Sequence, residues 1–203
     1  MLNHFYHAMF GLSVLAVAGC ASTSLERRST ISDSNPAIVL DKGEGTEIDF
    51  PLHPTTRLAF ANATQSGLSL FELSIVAQAA GAPPHRHTHE DEFFYVREGS
   101  VTFMTNGIQK TISEGGLALL PRGGWHAMWN DGETDSTLLV GTSAGEFDDF
   151  FDVVAMKSAE AENLTPPEVG AIIARVGTER GITIDMTKIP SDVRHLYGLP
   201  PAN

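Results

Sequence analysis

Between Asn35 and Gly145 the chain offers only short strand-like runs, each cut off by glycine, proline, asparagine or aspartate. The clearest are LSLFELSIVAQ (Leu68–Gln78), EFFYVREG, SVTFMTNG, IQKTIS, LALL and STLLVGTSAG. Many short runs at close spacing with turn signals between them argue for an all-β antiparallel sandwich or barrel. Gly99 sits where two aromatic-rich runs meet, and Asn106-Gly107 is the strongest short hairpin signal in the chain.

After Gly145 the period changes. Phe147, Phe150, Phe151 and Val154 fall at i, i+3, i+4 and i+7, one stripe of a helix. A second helix opens at TPPE, where Thr165 caps, Pro166 suits the first turn and Glu168 completes a capping box. Val169, Ile172, Ile173 and Val176 repeat the helical spacing. Both stripes are expected to pack against the outside of the barrel, since that spacing usually marks core contact rather than a ligand wall.

At 203 residues the chain is long enough for one domain with appendages. A net charge of −12 has the wrong sign for a nucleic-acid partner. The opening, MLNHFYHAMFGLSVLAVAGC, has an apolar core too short to span a bilayer and reads as a signal peptide. Its ending, Val17-Ala18-Gly19-Cys20, resembles the lipobox of bacterial lipoproteins, although the leading segment lacks Lys and Arg. Cys20 is the single cysteine, so an internal disulfide and a thiolate metal site are both excluded. Ala21 to Asn35 is Ser/Thr-rich and reads as a flexible tether. The expected layout is a signal peptide over residues 1–19 and a lipidated Cys20 with its tether over 20–35. A barrel over 36–145 and a helical extension packed on it over 146–203 complete the chain. The location expected from this is the cell envelope, lipid-anchored to the outer or inner membrane and periplasm-facing, or the periplasm itself, with the membrane touched only through the lipid.

The stretch PPHRHTHEDEFFYVREGS, Pro83 to Ser100, gathers three histidines and four acidic residues into eighteen positions. His85 and His87 are two apart, so on a strand they share a face. Glu92, Phe94 and Val96 share one face of the next strand, while Phe93, Tyr95 and Arg97 share the other. If the first face is interior, a buried Glu92 is costly to keep ionised unless a cation stands beside it. The stretch GGLALLPRGGWHAMWN then puts His126, Met128 and Asn130 on one strand face after a Pro121–Gly124 turn. Three imidazoles and one carboxylate suit a divalent transition ion among Fe, Mn, Ni, Co, Cu and Zn, with up to two positions left open.

These stretches resemble the two motifs of the cupin family. The first, HxH(x)3–4E(x)6G, is met by His85, His87, Glu92 and Gly99, and the second, G(x)5PxG(x)2H(x)3N, by Gly115, Pro121, Gly123, His126 and Asn130. One departure is Ala79, where the family pattern has a glycine. The resemblance implies a double-stranded β-helix, or jelly roll, with His85, His87, Glu92 and His126 as ligands of one metal ion. It is similar to bacterial quercetinase-like cupins. That implies a mononuclear dioxygenase acting on a small aromatic or enol substrate, with Glu92 also serving as catalytic base. A metal-assisted lyase or isomerase and a non-catalytic, surface-tethered binding module are the alternatives, and a homodimer is possible in this family.

The remaining candidates take humbler roles. His89 reads as a pocket-rim residue, Glu90 and Asp91 as solvated loop charges, and His53 and His195 as structural. Trp125 and Trp129 alternate with His126 and Met128 and should face away from the metal, under the helices. Phe60, Phe71, Phe94, Phe103 and Met128 are candidates for an apolar pocket wall.

Overall fold

A computed structural model describes residues 36–202. The signal peptide, Cys20 and the tether lie outside the described residues. The strands are β1 (Thr46–Ile48), β2 (Thr55–Ala59), β3 (Ser69–Ile75), β4 (Ala79–Ala80), β5 (His85–His87) and β6 (Glu92–Glu98). They continue as β7 (Ser100–Thr105), β8 (Ile108–Ser113), β9 (Leu117–Leu120), β10 (His126–Asn130), β11 (Ser136–Thr142) and β12 (Ile182–Ile184). Two antiparallel sheets result, in the orders β1-β2-β3-β11-β6-β9 and β12-β5-β10-β7-β8, with β4 also pairing to β10. This is the expected jelly roll, followed by helices α1 (Phe150–Ala159) and α2 (Pro166–Glu179).

Alternation sets which side of each strand is interior. Along β6, Glu92, Phe94 and Val96 are buried while Phe93, Tyr95 and Arg97 are not. Phe71 and Leu73 of β3, Leu138 and Val140 of β11, and Val101 and Phe103 of β7 join Phe94 and Val96 in one core. Each such side chain contributes about 1.5–3 kcal/mol by leaving water. The two predicted hairpins form. Gly99 has φ +75°, and a Cβ there would come within 2.5 Å of the Asp135 carbonyl, so both backbone and space demand glycine. Asn106 and Gly107, at φ 50° and 82°, make the β7–β8 turn with both central residues left-handed, as a primed turn requires.

Helix α2 begins as predicted, with Glu168 accepting from the Thr165 backbone N–H at 2.8 Å in a capping box. The destination of the two stripes is different from the expectation. Phe147, Phe150, Phe151 and Val154, with Val169, Ile173 and Val176, belong to the interior core rather than to a layer on the barrel's outer face. Phe151 packs edge-on against Phe71 with centroids 5.0 Å apart. Helical periodicity reports that a face is buried, but not what buries it.

Arg57 of β2 fixes this arrangement from the side. Its buried guanidinium bonds the Asp148 carbonyl at 2.8 Å and pairs with the carboxylates of Asp148 and Asp152, under the ring of Phe60. Beyond α2 the extension returns to the barrel: β12 pairs with β5, setting Ile182 against His87 and Ile184 against His85. Trp129 does face away from the interior, as expected, but it packs with Ile189 and with Val193 of the C-terminal 3₁₀ segment rather than under α1 or α2. No helix among the described residues is long and apolar enough to cross a membrane.

Candidate metal centre

The second sheet presents three imidazoles to the interior and the first sheet presents a carboxylate. His85 and His87 are the two ends of β5, His126 opens β10 directly opposite His85, and Glu92 opens β6. All four side chains are buried, and one ligand atom from each lies within 4.8 Å of the others. From Glu92 Oε2 the distances are 3.2 Å to His126 Nε2, 3.6 Å to His87 Nε2 and 3.9 Å to His85 Nε2. The spacing of the two sequence motifs thus converts into a single cluster drawn from both sheets.

The opposite ring nitrogens decide what the cluster can do. His85 Nδ1 lies 2.8 Å from the Pro83 carbonyl, His126 Nδ1 3.1 Å from the Gly124 carbonyl, and His87 Nδ1 3.1 Å from Glu90 Oε2. Those partners accept, so each Nδ1 carries a hydrogen, and each ring in its neutral form turns an Nε2 lone pair inward. His87 Nε2 is buried with no hydrogen-bond partner. Three lone pairs and a carboxylate oxygen packed this closely repel one another unless a positive charge stands among them. A proton can bridge one pair of these atoms; a divalent ion satisfies all four. The donor set therefore fits a metal ion.

The electrostatics carry the same signature. Burial pushes His85 down to about 3, with His126 adding to the effect and Glu92 opposing it. Burial also works against a charge on His87, but the Glu90 hydrogen bond and the Glu92 charge outweigh it and hold that pKa above the ordinary value. For Glu92, burial favours the neutral acid, yet His126, its Nε2 3.2 Å from Oε2, and the neighbouring imidazoles keep the pKa below the usual range. An ionised Glu92 and a neutral His85 are the forms in which these two side chains could ligate a cation.

Residues 72–141 match the family described as Cupin domain. This segment is similar to a cupin domain. The match holds entire the three strands that carry all four cluster ligands, β5, β6 and β10, and most of β3 and β11, on which they are framed. No curated protein matches the chain in sequence. Several solved structures are similar to part of the chain at low identity. KdgF from Halomonas sp. is 21% identical over 53% of this chain and 94% of its own, with a TM-score of 0.45. A predicted oxalate decarboxylase from Thermotoga maritima is 20% identical over 52% of this chain and 97% of its own, with a TM-score of 0.46. A protein from Acidithiobacillus ferrooxidans named as a sugar phosphate isomerase is 21% identical over 46% of this chain, with a TM-score of 0.40, and only 61% of its length is spanned.

Next to the cluster lies a cavity of about 70 Å³. Phe94 and Met128 line it, as expected, but Phe71 and Phe103 are core residues behind it and Phe60 lies half exposed over Arg57. Much of the remaining wall comes from beyond the matched residues 72–141: Phe147, Phe150, Phe151, Ile173, Ile182 and Ile184. His53 also faces it, and with His85 and Glu92 it is the polar part of an otherwise apolar lining. Burial pushes His53 down to about 4, so its ring is neutral. His89 and His195 are exposed and stand apart from the cavity lining.

Two residues were misjudged or missed from sequence. Glu90 is not a solvated loop charge; it is fully buried, bonded to His87 and to the backbone N–H groups of Glu146 and Phe147 at 2.6 and 3.2 Å. Its position three after His87 was the available signal. Asp91 is a loop charge as expected, but it is paired, accepting from the Arg122 backbone at 3.0 Å and from its guanidinium at 2.8 Å. Ala79, the departure from the motif, pairs with Asn130 in the β4–β10 ladder, so that difference leaves the ligands in place.

Proposed function

We propose that His85, His87, Glu92 and His126 hold one divalent transition ion, and that the chain is a mononuclear metal-dependent enzyme of the dioxygenase type. The observation that carries this is the convergence of three Nε2 lone pairs and Glu92 Oε2 beside an apolar cavity. When bound, the ion supplies Lewis-acid polarisation and open positions for a substrate oxygen. The chain's own residues do the rest. Phe94, Met128, Phe147 and Phe151 exclude water and offer flat apolar contact to an aromatic or enol substrate. Glu92 reaches the cavity wall, where it can accept a proton from a substrate hydroxyl.

The cavity also bears on substrate size. Pockets for drug-sized ligands run to roughly 300–1,000 Å³, so a space of about 70 Å³ favours a single ring or a short enol over a fused flavonol. A quercetinase-like chemistry on a smaller substrate is the form of the proposal that suits this pocket. Oxygen uptake by metal-loaded protein with small enols and single-ring hydroxylated aromatics tests it. Uptake matched to substrate loss, and absent in Glu92→Gln, is expected. Turnover that proceeds without dioxygen would point to the lyase or isomerase alternative, and tight binding without turnover to a binding module.

The same proposal places the protein at the cell envelope, tethered through Cys20, on the resemblance of Val17-Ala18-Gly19-Cys20 to a lipobox. Cys20→Ser should release it from the membrane fraction; a variant that stays bound argues against lipidation.

A further inference from the structure

We propose that Glu90 is a positioning residue with two attachments: one carboxylate oxygen sets the hydrogen of His87 on Nδ1, and the other docks the segment that closes the cavity. This rests on the metal reading above and adds to it a residue outside the ligand set, with a coupling between ion and pocket wall.

Glu90 is 0% exposed. Its Oε2 lies 3.1 Å from His87 Nδ1, and its Oε1 accepts from the backbone N–H groups of Glu146 and Phe147. Those two N–H groups occupy Oε1, so the hydrogen between Glu90 and His87 belongs to the ring. The ring's other nitrogen is then obliged to present a lone pair toward Glu92 and the cluster. Gly145 makes room for this. A Cβ at that position would fall onto Oε1, Cδ and Cγ of Glu90, so the absence of a side chain is what admits the carboxylate.

The second attachment reaches the cavity. Phe147 follows directly on the docked N–H groups, its ring centroid is 5.3 Å from that of His87, and it lines the cavity. A cation on His87 Nε2 favours the Glu90 position that also holds residues 146 and 147. By reciprocity, the docked segment strengthens cation binding by the same factor. Charge agrees with this: with the three rings neutral, as ligation requires, the two carboxylates of Glu90 and Glu92 match a divalent ion.

Glu90→Gln separates positioning from packing. Its carbonyl can still accept from the Glu146 and Phe147 N–H groups, but its NH₂ then faces His87 Nδ1 and donates to it, driving the ring hydrogen to Nε2. Chelator competition with Co(II) is expected to show a loss of affinity of about 10- to 100-fold, in a protein whose metal-free form still folds. Nitrogen-15 NMR of metal-free protein should find His87 Nδ1 protonated in the wild type and bare in the variant. Co(II) loading should slow amide exchange at Glu146 and Phe147 in the wild type and not in Glu90→Gln. Gly145→Ala, which displaces the carboxylate from the other side, should also weaken Co(II) binding. Wild-type affinity in Glu90→Gln, or a bare Nδ1 in the wild type, overturns the proposal; the NMR result needs no variant to fold. A wild type with Nδ1 protonated that binds no Co(II) overturns the metal reading instead.

Discussion

The Nε2 atoms of His85 and His126 stand 3.0 Å apart, while the Nδ1 of each ring faces a backbone carbonyl oxygen. Two neutral rings so anchored cannot hydrogen-bond each other, because neither has a hydrogen to offer across the gap. The contact makes sense with a positive charge shared between them. It is reached because β5 and β10 pair in the register that sets His126 against His85.

His126→Ala leaves three donors and opens one side of the cluster. Retention of a transition ion through gel filtration should be abolished, while the circular dichroism of the sheets is kept. Glu92→Gln should act in the same direction, since it removes the charge that offsets the cation. Metal content by elemental analysis checks both, and unchanged retention in His126→Ala would contradict the ligand set.

Arg57→Met should destabilise the protein without touching the cluster. The guanidinium is buried, with Asp148 and Asp152 as partners, and removing one member of a buried pair costs about 3–5 kcal/mol. Both aspartates reach solvent, so the lower end of that range is expected. The Asp148 carboxylate also accepts from the Ala61 N–H at 3.0 Å and from Ser69 Oγ at 2.7 Å, which spreads the damage to the start of α1. Denaturant unfolding measures the loss, and a change under about 1 kcal/mol would show that the pair holds little.

Phe151→Ala should cost about 3–5 kcal/mol, the range for emptying a well-packed aromatic site. The ring is buried against Phe50 at 4.9 Å and Phe71 at 5.0 Å and forms part of the cavity wall. The variant should also accept bulkier ligands than the wild type. Equal selectivity in both would mean that α1 does not limit the pocket.

Stability of the metal-free protein should fall with acid over a defined window. Burial holds His53 down to about 4 in the folded chain, against about 6.5 when unfolded. Above pH ~6.5 the ring is neutral in both states and the contribution is complete. As pH falls from there towards 4 only the unfolded chain takes up the proton, so stability declines, and below 4 the slope vanishes. His85, at about 3, extends the decline further into acid. His53→Phe should flatten the upper part of the profile in thermal melts, and an unaltered slope would argue that His53 is solvated.

What the sequence disclosed was local. The Gly99 and Asn106-Gly107 turns, the alternation through Glu92 to Arg97 and the spacing of His85, His87, Glu92 and His126 all depend on neighbours within a few residues. The structure bears out the strands, the turns and the convergence of those four side chains. Glu90 escaped because its burial depends on Gly145 and two backbone N–H groups more than fifty residues later in the chain. In a run of loop acids it looks like Asp91. The Phe147–Phe151 stripe was legible as buried, but its place in the core beside Phe71 depends on Arg57 and Phe71, which no periodicity connects to it. Strand β12 has three residues, too few for a pattern, and takes its conformation from pairing with β5.

Anomalous diffraction from crystals of metal-loaded protein, collected at the absorption edge of the ion, addresses the central claim most directly. One peak per chain is predicted, within bonding distance of Nε2 of His85, His87 and His126 and of the Glu92 carboxylate. No peak there, or full occupancy at some other set of side chains, would contradict it.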